Sequence, residues 1–246
     1  MSRRKPLNER KEQGASIPIF LNPNGMTQRM IITDNVKLRV KSNFSVPHLL
    51  GAAFFSRRVY AIEKDNLGKP LGSFWEEILA FSTACIFGCI ASLESYANEL
   101  FADHEKYFPD MRAEIMKKLW EFFEQKPLLE KYEFALLLKK APSLNKDRKP
   151  YQDIAALIRL RNALTHFKPE WDDEQVAHAK ISTQLKGRFS PSPFMGEGDP
   201  LFPKRWATSG CTKWALESTI AFLNDFEESA GLEHRLDKFI DRLGVE

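Results

Sequence analysis

From Pro47 onward, apolar residues recur every three or four positions, the spacing of helices that bury one face. That spacing predicts helices over residues 47–65, Phe74–His104, 109–124, 128–140, 151–167, 172–186, 211–229 and 232–243. Gly68 and Pro70 close the first, and Ser73 with Glu76 three places on has the form of a capping box for the second. In 109–124, Met111, Ile115, Leu119 and Phe122 mark the expected buried side. Upstream the period changes to two. Val36, Leu38 and Val40 alternate with Lys37, Arg39 and Lys41, and Asp34-Asn35 follows Ile31-Ile32-Thr33, which reads as a β-hairpin over Met30–Lys41. The first 28 residues are polar, broken by proline and glycine, and read as a tail or arm. The expected fold is therefore all-α: a helical bundle with a small N-terminal β-hairpin appendage. The arm covers 1–46 and the helical domain 47–246, divided into a core (47–186), a loop (187–208) and additional C-terminal helices (209–243).

Composition adjusts this picture only slightly. With 43% hydrophobic and 28% charged residues, 246 residues suffice for a real core. The longest uncharged run, Ile78–Leu93, is shorter than the roughly 18 to 20 apolar residues of a membrane span and reads as a central bundle helix; no membrane association is expected. Cys85 and Cys89 lie one turn apart inside it, where free thiols act as small hydrophobes; with Cys211 they form no disulfide framework. This suits a reducing cytoplasm, and the basic start lacks the apolar stretch of a secretory leader. Loop 187–208 contains Phe189, Phe194, Phe202 and Trp206 among Arg188, Lys204 and Arg205. It reads as pinned to its own domain by these aromatics, with base stacking as the alternative.

The net charge is only +3, but it is concentrated. Residues 1–11 hold five basic side chains against Glu9, and 139–168 hold eight against Asp147 and Asp153, leaving the remainder acidic. A basic stretch on an acidic body fits a phosphate-binding groove or a solvated loop and helix face equally well. Within the helix expected at 151–167, Ile154, Leu157, Leu160, Leu164 and Phe167 form the buried stripe. Asn162 and His166 share a face beside it, and Arg161 lies about 140° from His166 round the helix, within reach of a long side chain. Glu94 and Asn98, also four apart, end the uncharged run, so the Glu94 carboxylate needs a partner such as Arg161 or His166. A purely structural reading is also open: His166 on the last helical carbonyls, and Arg161 with Glu94 as an ion pair. His48, His104, His178 and His234 are scattered and show no metal-ligand spacing, so no metal and no cofactor are expected.

The string Arg161-Asn-Ala-Leu-Thr-His166, with Glu94-x3-Asn98 on an earlier helix, resembles the R-x(4–6)-H signature and polar pair of HEPN domains. The resemblance covers roughly residues 47–186. It implies a HEPN-like helical bundle that forms a homodimer with two such helices facing across a cleft, and a metal-independent endoribonuclease. His166 would be general acid or base, its ordinary pKa near 6.5 suiting both roles. Arg161 would hold the phosphate oxygens and Asn162 would orient them, with Glu94 and Asn98 supporting Arg161. Arg159, Lys168, Lys146, Arg148 and Lys149 would bind the RNA backbone. A toxin or phage-defence role, restrained by an antitoxin or regulatory protein, follows by the same analogy. Some members are silent, so an inactive module binding RNA or a protein partner is the rival. Lys168 stands where one related group carries an adenylylated Tyr, which argues against that subtype.

Overall fold

A computed structural model describes residues 28–32, 38–171, 174 and 176–244. The chain divides between Asn43 and Phe44 into two compact units. In the first, β1 (Gln28–Ile32) pairs antiparallel with β2 (Leu38–Ser42) in a register that sets Ile32 opposite Leu38. The expected hairpin is present; the Asp34-Asn35 turn lies outside the described residues.

The second unit is helical. In chain order it comprises α1 (Ser45–Asn66), α2 (Phe74–Ala102), the single turn α3 (His104–Tyr107), α4 (Ala113–Phe123), α5 (Leu128–Leu138), α6 (Lys149–Thr165), α7 (Val176–Leu185), α8 (Ser209–Ser229) and the short α9 (Ile240–Leu243). The apolar α2 is the spine, with α1, α5, α6 and α8 packed on it. By length and composition alone it would also suffice to cross a membrane. It runs antiparallel to α1, and the two approach closely at Gly88. A β-carbon there would lie 3.2 Å from both the Ala52 side chain and the His48 carbonyl oxygen, so a larger residue would force the helices apart. The Ser92 hydroxyl donates to the Ser45 carbonyl at 2.7 Å along the same seam.

Helix α8 lies parallel to α2. Cys85 Sγ sits 3.8 Å from the Thr212 carbonyl near one end, and the Tyr96 hydroxyl donates to Glu227 at 2.6 Å near the other. Helix α6 runs antiparallel to α8. Arg148, just before α6, pairs with Asp225 on α8 at 2.7 Å, whereas Phe167, just after it, meets Phe202, which precedes α8. Tyr132 of α5 plugs the Asp225 end, edge-on to Phe222 and Phe226 at 5.0 and 4.8 Å, with its hydroxyl donating to the Leu93 carbonyl.

Several boundaries and faces differ from the sequence reading. Ser73 makes no side-chain cap, so the expected capping box is not formed; Ser73 already has helical dihedrals. The second helix ends at Ala102 rather than His104. On α4 the buried residue is Met116, flanked by Leu119, Trp120 and Phe123; Ile115 and Phe122 face outward. Trp120 and Phe123 win because they stack on Phe101 (4.4 Å) and Phe134 (3.6 Å). The loop from 187 to 208 is pinned by its aromatics, with Phe202 and Trp206 buried, Phe194 against Phe74 and Phe189 against Trp214. All three cysteines are free and buried. A hydrogen bond with Cys89, followed by burial, raises the Cys85 pKa, and burial raises that of Cys211.

Candidate functional site

Helix α6 has Arg148 and Lys149 at its start and Pro150 in its first turn, where a missing N–H costs nothing. Ile154, Leu157 and Leu160 are wholly buried against α2 and α8, which fixes the rotation of the helix. The same rotation sends Arg159, Asn162 and Thr165 outward and leaves Arg161 half-buried. The helix closes at Thr165. His166 is its C-terminal cap, its N–H donating to the Asn162 carbonyl at 2.9 Å, while the Thr165 hydroxyl donates to the Arg161 carbonyl at 2.9 Å. The His166 ring is exposed.

The structure therefore gathers Arg159, Arg161, Asn162, His166 and Lys168 at one end of α6. None of their side chains hydrogen-bonds or ion-pairs with any described residue, and Arg161 Nε is shut off from solvent with no partner. An unsatisfied buried donor costs about 1 to 3 kcal/mol, and no described residue offsets that cost at Arg161.

Glu94 and Asn98 do not belong to this group. Glu94 accepts from Lys131 Nζ at 2.9 Å, and Lys131 is the more buried of the two. Asn98 is exposed. The antiparallel packing explains the separation: Glu94 follows Leu93, whose carbonyl binds Tyr132 at the Asp225 end, where α6 begins and not where it ends. The expectation that this pair steadies Arg161 within one chain is corrected accordingly. The basic loop lies at the same far end. At about 1.5 Å per residue, the 17 residues of α6 put Lys149 about 25 Å from His166. Lys146 pairs with Glu133 at 3.3 Å, which raises its pKa, and Arg148 is held by Asp225. Of the three, only Lys149 is exposed and unpaired among the described residues.

Sequence reading missed the clamp behind His166. His178, buried at the start of α7, brings Nε2 within 2.9 Å of the Lys168 carbonyl and stacks on Phe167 at 5.2 Å and 20°. Glu170 accepts from the backbone N–H groups of Ala177 and His178, both at 3.1 Å, so it caps α7 from outside the helix. Those backbone bonds, led by the one from His178, lower the Glu170 pKa. The acidic residue ahead of an apolar helix was the available signal; the eight-residue reach from Glu170 to His178 hid it. At the opposite end of α7, Arg188 ion-pairs with buried Asp153 near the start of α6. Among the described residues, no three His, Cys, Asp or Glu side chains gather as a metal site.

No family model, no curated protein and no solved structure matches this chain.

Proposed function

We propose that this chain is a metal-independent endoribonuclease of HEPN type, working as a homodimer in which two α6 ends share one cleft. The observation carrying the reading is the unpartnered guanidinium of Arg161 on the same helix end as the exposed imidazole of His166. RNA brings its own nucleophile, so such a site has only to move two protons and neutralise charge. The 2′-oxygen forms a bond to phosphorus as the bond to the 5′-oxygen breaks. One His166 takes the 2′-hydroxyl proton, and His166 of the partner subunit gives a proton to the departing 5′-oxygen. Products are a 2′,3′-cyclic phosphate and a 5′-hydroxyl. Arg161 donates to the phosphate oxygens as they gain charge, and Asn162, one turn before His166 and otherwise unengaged, orients them. Arg159 and Lys168 supply salt-dependent affinity close to the scissile bond, with Lys149 along the same helix.

The rival reading, a silent module that binds RNA, is favoured by one observation: Lys131, and not Arg161, holds Glu94. One experiment separates the two. Purified protein is incubated with mixed RNA in EDTA, beside His166→Ala and Arg161→Ala. Cleavage by the wild type alone, leaving cyclic-phosphate ends, supports the nuclease. Equal cleavage by all three removes it, and binding without products supports the module.

A further inference from the structure

We propose that the segment following α6, Phe167 to Trp171, is a stacking platform for an unpaired base of single-stranded RNA, next to the phosphate that Arg161 and His166 face. Trp171 is 80% exposed and Phe167 48% exposed, and both lie within five residues of His166. An exposed Trp of this size normally finds cover inside its own chain; here nothing described packs on it.

Phe167 is not a loose surface ring. It stacks on the imidazole of His178 and meets Phe202 at 6.1 Å and 60°, yet about half of the residue stays exposed. The backbone beneath is held twice, by His178 Nε2 on the Lys168 carbonyl and by the Glu170 carboxylate on the first N–H groups of α7. A connection without helix or strand is thus fastened from below, with its aromatic rings and the Lys168 ammonium left on the outside. Rings presented beside cations bind unpaired bases without strong sequence preference, because every base offers a π-face.

Charge favours one side for the phosphates. Lys168 and Arg159 are exposed and unpaired among the described residues, and the Glu170 carboxylate faces inward to α7. The only acidic residue from Phe167 to Trp171 is this Glu170, so phosphates are favoured near Lys168 and Arg159. A duplex, with phosphates on both edges and no free base face, fits this arrangement poorly.

The inference rests on the proposed RNA reading, and the test separates the two. A fluorescein-labelled A12 RNA is titrated into the His166→Ala protein, with and without Trp171→Ala, across a salt series. Trp171→Ala is expected to weaken A12 binding by roughly 5- to 150-fold, the range for loss of one base stack. Trp171→Phe should restore binding to within about threefold, since any flat ring serves. The slope of log affinity against log salt should not change with Trp171→Ala, whereas Lys168→Ala should make it shallower by about 0.7. Because the indole is exposed, the fold should tolerate the substitution, which a melting curve checks. Unchanged A12 affinity in Trp171→Ala overturns the platform, as does a change in sedimenting mass with RNA affinity intact, which would make Trp171 a contact between copies. Trp171-dependent binding by a chain that cleaves nothing keeps the platform and removes the nuclease. His166-dependent cleavage indifferent to Trp171 does the reverse.

Discussion

Glu99 accepts hydrogen bonds from the Phe44 and Ser45 N–H groups at 2.9 and 2.8 Å and from the Ser45 hydroxyl at 2.7 Å, and it pairs with Arg235. One carboxylate from the end of α2 therefore caps α1 and neutralises a guanidinium that stacks on Tyr96. Removing one partner of a buried pair strands the other. Glu99→Ala is expected to cost about 3 to 5 kcal/mol in urea unfolding, with Glu99→Gln less damaging. Neither Glu99 nor Arg235 stands out in the sequence, because 136 positions separate them. Arg161 and His166 are the opposite case: their spacing singles them out in the sequence, yet Glu94, the partner it suggests for Arg161, is held by Lys131. Glu94 needed a cation, as its place at the end of an apolar run implied, but several cations were equally plausible from sequence. Only the packing of α5 on α2 selects Lys131.

Among the elements, α1, α2, α5, α6 and α8 were legible because each has a single apolar stripe with helix-breaking residues beyond it. The buried face of α4 was not. Apolar residues occupy more than half its circumference, so periodicity cannot choose between Ile115 with Phe122 and Trp120 with Phe123; stacking on Phe101 and Phe134 chooses the second. Helix α6 is fixed by its core side, and Leu157→Ala, at a wholly buried site, should lower stability by about 2 to 5 kcal/mol with the cavity left behind. Helix α7 depends on Glu170. A carboxylate whose folded pKa is lowered contributes stability above its ordinary range, near 4.3, and that contribution is lost as pH falls through the folded value. Protection of the Ala177 and His178 amides, measured against their intrinsic exchange rates, is therefore expected to fall below about pH 4. Glu170→Gln should show the reduced protection already at pH 7, and equal protection in both proteins would show that the cap contributes nothing.

For the whole molecule, the proposed cleft belongs to two copies, so dilution becomes a test. Specific activity per subunit should fall as protein concentration drops through the dimer dissociation constant, in step with sedimenting mass. Activity independent of concentration in a monomeric chain would refute the shared site. The sequence by itself determined the helical class, the β1–β2 hairpin, the central role of α2 and the grouping of Arg161, Asn162 and His166 at the end of one helix. Each of these depends on neighbours a few residues apart, whose geometry the backbone period dictates. Tertiary structure alone decided that Glu94, Asn98 and the basic loop lie at the far end of α6, and that His178 and Glu170 brace the segment behind His166. Those facts depend on which way packed helices run and on where a connection folds back, and a periodic pattern of apolar residues is the same in either direction.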